Sequence, residues 1–150
     1  MNISINEITA DQIVGLNQCV IRYAHSIDPH SQAKHAVRNL SGLKGCVGGI
    51  FQQLSPNGYV HLPLEKMAGL PLFRVAQGQF FLDGNKRTAL LATKAFLHNN
   101  GHQIRIERKI VSDLIWGFAS PVSDPSLPPR YKESDAIQWV FDNVLPMLQP

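Results

Sequence analysis

The sequence predicts an all-α domain with one small β-hairpin, and three observations support this fold class. Apolar residues recur at helical spacing in several segments along the chain. One of these segments, residues 85–100, is apolar around nearly its whole circumference, which is typical of a helix in the middle of a fold. The pair Asn57-Gly58, beside strand-forming residues, is a strong hairpin signal.

The composition is that of a single globular domain over residues 1–150. Hydrophobic residues make up 44% of the chain and charged residues 17%, which is enough for one real core. No apolar run approaches the roughly 20 residues of a membrane span, and the N-terminus lacks the features of a secretory signal. The net charge of +3 is mild and its basic residues are scattered, which argues against a nucleic-acid partner. Two cysteines form neither a disulfide framework nor a metal set, so we expect a reducing, cytoplasmic location.

The first helix is predicted from its cap and its apolar face. Thr9 and Gln12 have the spacing of a capping box. The apolar face that follows carries one polar residue, Asn17, and Pro29 ends the helix. Cys19 is expected to be an inert core thiol on this face.

A second helix is expected over residues 33–40, where apolar residues again follow helical spacing. The segment 41–50 carries four glycines, which predict local unwinding or close packing of two backbones. Cys46 lies among these glycines, and nothing near it marks an activated thiol. Residues 51–63, FQQLSPNGYVHLP, are expected to form the short hairpin.

The second half of the chain is predicted to be helical. Pro71 indicates either a kinked helix or a helix that starts there. The helix over 85–100 is expected to end at Gly101 as its C′ residue. A further helix is expected around residues 110–118, followed by a Pro-rich loop. A last helix would carry the apolar stripe Ile137, Val140, Phe141 and Val144.

The turn LDGNKRTA, which precedes the central helix, places polar residues at a buried helix end. Backbone N–H groups of a first helical turn have no intrahelical partner, and the helix dipole favours an anion there. Gly84 permits a tight turn, Lys86 and Arg87 add cations, and Asn85 adds an amide donor, so phosphate is the expected ligand. Asp83 fits if Mg²⁺ accompanies the phosphates. The same residues are also ordinary turn and capping chemistry, which need bind nothing.

The segment FFLDGNKRTALLATKAFLHNNG resembles the signature of the Fic/Doc superfamily. That motif runs His-x-Phe-x-Asp/Glu-Gly-Asn, then Gly or Lys, then Arg. The matching residues here are Phe81, Asp83, Gly84, Asn85 and Arg87. Lys86 and the following Thr88-Ala89-Leu90 are closer to the death-on-curing (Doc) branch than to the adenylylating Fic branch. The order of predicted elements is similar to that of the family over residues 7–145.

The resemblance implies a Fic/Doc-like helical bundle around a central buried helix, with a β-hairpin flap. It also implies Mg²⁺-dependent transfer of phosphate or nucleotide from ATP, or another nucleoside triphosphate, to a protein hydroxyl. By resemblance, Asp83 would hold Mg²⁺, and the amides of Gly84, Asn85 and Lys86 would form an anion hole. Lys86 and Arg87 would contact the phosphates.

The resemblance also implies partners. A protein target would dock along the flap, residues 51–62, by strand pairing. Doc-type proteins are commonly toxins that a small antitoxin holds, so a separate antitoxin is a further partner that the resemblance allows.

One position departs from the motif. Gln79 stands where the family has the histidine that takes the proton from the target hydroxyl, and a glutamine amide cannot act as a general base. Three interpretations remain open. The chain is an enzyme that takes its base from elsewhere, with His61 the nearest histidine in sequence; or an inactive relative that binds a nucleotide or a protein; or a divergent member with another activated substrate.

Overall fold

The computed structural model describes residues 5–54, 64, 68–105, 107, 111, 114, 117–118 and 131–147. This part of the chain is mostly helical and contains one small antiparallel sheet of two strands. The helices are α1 (Ala10–Ile27), α2 (Leu40–Leu54), α3 (Gly69–Gly78), α4 (Asn85–Asn99) and α5 (Glu133–Asn143). The strands are β1 (His102–Ile104) and β2 (Val144–Pro146). Within the described ranges, no helix has the length and apolar character that crossing a membrane requires.

Helix α1 begins as its sequence predicts. The Thr9 side chain accepts the Gln12 N–H at 3.1 Å, and the Gln12 side chain accepts the Thr9 N–H at 2.8 Å, which completes the capping box. The helix ends at Ile27, before Pro29. The expectation of a buried Cys19 is wrong, because its side chain is exposed. Cys19 lies about 100° around the helix from the buried Val20, on the side away from the core.

The expected helix over residues 33–40 is also wrong, since α2 begins only at Leu40. The preceding segment instead runs beside residues 80–82, where Val37 forms an isolated antiparallel bridge with Phe81. The Leu82 N–H donates to the Ala36 carbonyl at 2.9 Å, and the Arg38 N–H donates to the Phe80 carbonyl at 2.7 Å. These tertiary hydrogen bonds satisfy backbone groups that a helix would otherwise pair internally.

Helix α2 runs without interruption through all four glycines, so the predicted unwinding does not occur. A Cβ atom at Gly45, Gly48 or Gly49 would meet no atom within 4 Å, so these three positions do not bring two backbones together either. Each glycine costs about 1 kcal/mol of helix propensity relative to alanine. Burial of Leu43 and Ile50 in the core offsets this cost.

The predicted flap falls partly on α2. Residues 51–54 are the last turn of that helix and not a strand, and Phe51 packs in the core, with its ring centroid 5.5 Å from that of Phe96. The remaining flap residues, 55–63, which include Asn57-Gly58 and His61, lie outside the described residues.

Helix α4 occupies the centre of the fold, as its apolar circumference predicts. It packs against α1, α3 and β1, while α3 also packs against α2 and α5. Pro71 is the third residue of α3, so this helix starts close to it, in the first turn where no backbone donor is needed. Gly101 follows the C-cap of α4 with φ of 84°, as expected for a C′ glycine.

The C-terminal region differs from its predicted stripe. Helix α5 buries Ala136, Trp139 and Val140, whereas Phe141 is 58% exposed. Val144 is the first residue of β2 and pairs with Ile104 of β1. Strand β1 directly follows α4 and strand β2 directly follows α5, so their pairing links the ends of these two helices. The sequence pattern did not predict this pairing. Of the predicted helix at 110–118, Val111, Leu114 and Gly117 are described and helical.

Candidate functional site

The turn between α3 and α4 is anchored in the core. Phe81 is completely buried. The buried Asn85 accepts the Phe81 N–H at 3.0 Å and donates to the Phe81 carbonyl at 2.9 Å. The Asn85 side chain therefore holds the turn in place, and its backbone N–H remains for a ligand.

The start of α4 presents unpaired backbone donors. Its first intrahelical hydrogen bond runs from the Thr88 N–H to the Gly84 carbonyl at 2.9 Å. The N–H groups of residues 85–87 have no acceptor among the described residues. Gly84 has φ of 78°, and a Cβ atom there would lie 3.0 Å from the Val20 side chain. Glycine thus allows the turn to pack closely on α1 while the helix end stays open.

Two cations flank these donors. Lys86 is partly buried and Arg87 is exposed. The described chain contains one ion pair, between Arg74 and Glu133, so neither Lys86 nor Arg87 has a carboxylate partner within it. Together with the unpaired N–H groups and the positive end of the helix dipole, these charges favour an anion. We call residues 83–87 the anion site.

Asp83 is the acidic residue of the anion site. Its Oδ2 accepts the Lys34 backbone N–H at 2.8 Å. Its Oδ1 has no hydrogen-bond partner in the described part of the chain. One carboxylate oxygen beside a phosphate site is a donor set that Mg²⁺ accepts, since this ion keeps most of its waters and takes few protein ligands.

Gln79 ends α3 in the left-handed region, with φ of 52° and ψ of 43°. Few non-glycine residues adopt this conformation, which costs about 1–2 kcal/mol. The side chain donates to the Ala76 carbonyl at 3.3 Å and accepts from the Asn85 amide at 3.4 Å. These contacts hold the Gln79 side chain beside the start of α4, although the residue is exposed. Its amide has no atom that takes up a proton.

A buried polar hub supports the anion site from α1. Asn17 has 0% exposure, and its Nδ2 donates to the Asp83 carbonyl at 2.8 Å and to the Thr88 hydroxyl at 3.0 Å. Its Oδ1 lies 2.7 Å from Nδ1 of His35. The sequence showed Asn17 as the one polar residue on the apolar face of α1. It did not show the partners of Asn17, which are distant in sequence. The role of His35 had no local signal at all.

The structure thus brings Gln79, Asp83, Gly84, Asn85, Lys86 and Arg87 together at the start of α4, with Asn17 and His35 beside them. The arrangement places unpaired backbone donors, two cations and one carboxylate at the start of a single helix. Comparison with protein-family models, curated proteins and solved structures gave no match. The relationship to the Fic/Doc superfamily therefore rests on the motif residues and stays a prediction.

Proposed function

We propose that the anion site binds the polyphosphate of ATP or another nucleoside triphosphate. We further propose that the chain, like the Doc proteins that it resembles, transfers phosphate or nucleotide to a protein hydroxyl. The observation that carries this proposal is the set of unpaired N–H groups of residues 85–87 at the start of a central helix, with Lys86 and Arg87 beside them. Charge-assisted hydrogen bonds to phosphate oxygens are the strong class of such bonds.

Asp83 would hold Mg²⁺ through Oδ1, since Oδ2 already accepts the Lys34 N–H. The ion would neutralise charge on the phosphate oxygens. The residues of this chain bind and orient the polyphosphate through the backbone donors and the two cations. The two hydrogen bonds between Asn85 and Phe81 keep the turn in place before a ligand arrives.

The partners that the resemblance implies belong to the same proposal. A target protein would present its hydroxyl along the rest of the predicted flap, residues 55–62, because residues 51–54 belong to α2. A separate antitoxin would compete for that surface. The setting would be the reducing cytoplasm that the two free cysteines favour.

A second function is favoured by Gln79. The residue stands at the motif's histidine position beside the start of α4, and its amide, which bonds to Ala76 and Asn85, has no atom that takes up a proton. If no other group supplies a base, the chain is an inactive relative that binds nucleotide or a protein partner.

Titration of the protein with ATP, with and without Mg²⁺, tests the anion site. Lys86→Ala and Arg87→Ala should each weaken binding about 10- to 150-fold, the equivalent of a charged hydrogen bond of about 1.5–3 kcal/mol. Lys94→Ala is the matched control, because it removes the same charge from the same helix about 12 Å away. If all three variants bind ATP like the original chain, or if that chain does not bind ATP, the anion site is not a nucleotide site.

Transfer is tested with ATP that carries label in the α- or the γ-phosphate, incubated with a cell lysate. γ-Label on a protein would support Doc-like phosphorylation, and α-label would support nucleotidylation. ATP binding without transfer of either label would favour the binding module.

A further inference from the structure

Three contacts hold the loop that carries His35 beside the turn of the anion site, two of them directly and one through Asn17. Its own Nδ1 bonds to Asn17, and the N–H of the preceding Lys34 bonds to the Asp83 carboxylate. The carbonyl of the following residue, Ala36, accepts the Leu82 N–H. The loop that carries His35 therefore lies against residues 81–83. Asn17 links the imidazole to the Asp83 carbonyl, although Asp83 lies 48 positions further along the chain.

The contacts of Asn17 determine which nitrogen of His35 carries the proton. Nδ2 of Asn17 faces the Asp83 carbonyl, which can only accept a hydrogen bond, so the orientation of the amide is settled. Its Oδ1 must then accept from His35, which requires a proton on Nδ1. In the neutral ring, Nε2 is left with a free lone pair, and it has no partner in the described part of the chain.

The imidazole is also close to the chemistry that we propose. Two hydrogen bonds and the width of one amide separate His35 Nδ1 from the Asp83 carbonyl oxygen, so these two atoms are at most about 8 Å apart. That carbonyl belongs to the peptide bond that leads into Gly84, the N-cap of α4. His35 is partly exposed, so the residue is not enclosed in the core.

We propose that His35 is the general base that Gln79 cannot be, with Asn17 as its positioning residue. A base oriented by a second hydrogen-bonded side chain is the arrangement that activates hydroxyl nucleophiles in enzymes. This inference rests on the proposed transfer function.

In the proposed step, the hydroxyl oxygen of the target attacks a phosphorus of the nucleoside triphosphate, and its proton passes to Nε2 of His35. An O–P bond forms. The bond from the same phosphorus to the leaving diphosphate group breaks, and its electron pair stays on the leaving oxygen. The imidazolium then returns its proton to water.

The test compares ATP binding and label transfer in the original chain and in His35→Asn. The asparagine amide can still donate to Asn17, but it has no atom that takes up a proton. We expect transfer to fall about 10²- to 10⁴-fold while ATP affinity and the unfolding temperature stay the same. His98→Asn is the matched control, since His98 is an exposed histidine in the last turn of α4, far from the anion site, and its replacement should leave transfer unchanged.

A second variant separates a lost base from a lost contact. His35→Ala should lose transfer and recover part of it when imidazole is added to the solution, whereas Lys86→Ala should not respond to imidazole. Nitrogen NMR of the histidine rings provides a readout that needs no substrate. Neutral His35 should carry its proton on Nδ1, and this preference should disappear in Asn17→Ala.

Each outcome decides the proposal. Transfer by His35→Asn at the original rate, or a proton on Nε2, would overturn the role of His35 and leave the proposed function standing. If the original chain binds ATP without transferring label, both the base and the transferase are wrong and the binding module remains. If it does not bind ATP, the anion site itself fails and the base fails with it.

Discussion

Asn17→Ala should destabilise the protein more than any exposed substitution on α1. Asn17 is fully buried and makes three hydrogen bonds, to Asp83, Thr88 and His35. Alanine removes all three and leaves the Asp83 carbonyl and the Thr88 hydroxyl without these partners. The free energy of unfolding should therefore fall, and α1 should separate more easily from the start of α4.

The size of the effect follows from these contacts. Each hydrogen bond contributes about 0.5–1.5 kcal/mol net, and the better helix propensity of alanine returns at most about 0.7 kcal/mol. We expect a net loss of about 1–4 kcal/mol, against the 5–15 kcal/mol typical of a domain. For a chain of this size, this loss corresponds to a fall in melting temperature of about 3–13 °C.

The assay is thermal and urea unfolding followed by circular dichroism, with Gln18→Ala as the matched control. Gln18 is the next residue of the same helix and is exposed, so its change should stay within about 0.5 kcal/mol. Asn17→Asp should be at least as harmful as Asn17→Ala, because a carboxylate oxygen would then face the Asp83 carbonyl. If Asn17→Ala and Gln18→Ala unfold at the same temperature, the hub does not link α1 to α4 and the argument for it is refuted.

Three further predictions concern the backbone, the motif position and the thiols. Gly84→Ala should lower the free energy of unfolding by about 1–2 kcal/mol because φ is positive there, whereas Gly45→Ala in the open face of α2 should raise it by about 0.4–1 kcal/mol. Equal effects in urea unfolding would contradict this contrast. Gln79→His, added to the His35→Asn variant, should restore transfer by up to about 10²- to 10⁴-fold, and the gain should fade below about pH 6 as imidazole is protonated. Absence of recovery with intact ATP binding would mean that position 79 does not reach the hydroxyl. Burial raises the pKa of the Cys46 thiol, although Arg74 partly opposes this, so fewer thiolates form at neutral pH and alkylation should be slower than at the exposed Cys19. Mass spectrometry of the alkylated peptides would show the difference. Equal rates would show that Cys46 is accessible and that the pKa of its thiol is not raised.

Local signals predicted helix ends well. The capping box at Thr9 and the C′ glycine Gly101 depend on residues within a few positions of one another, and both are confirmed. Of the two alternatives at Pro71, the structure is closer to a helix start, which lies two residues earlier, at Gly69. The central place of α4 followed from its apolar circumference. Such features need no knowledge of the rest of the chain.

Predictions failed where distant contacts outweighed local preference. Residues 33–39 have helical spacing, but their backbone groups pair with the turn at 80–82. Helix α2 carries four glycines and is nonetheless continuous, because its apolar residues are buried against the core. Neither the turn that pairs with residues 33–39 nor the core that covers α2 can be identified from a short window of sequence.

The residues of the anion site could be identified from sequence, because the turn and the first turn of α4 are consecutive residues. The contacts that support them depend on the tertiary fold. A hydrogen bond such as that between Asn17 and Asp83 joins groups 66 residues apart, and it exists only once α1 has packed on α4. The same packing places His35 beside this turn. Local sequence therefore specifies the donors and charges that a ligand would meet. The positions of Asn17 and His35 depend on how the helices pack. That packing is driven by apolar burial over the whole chain and not by any one segment.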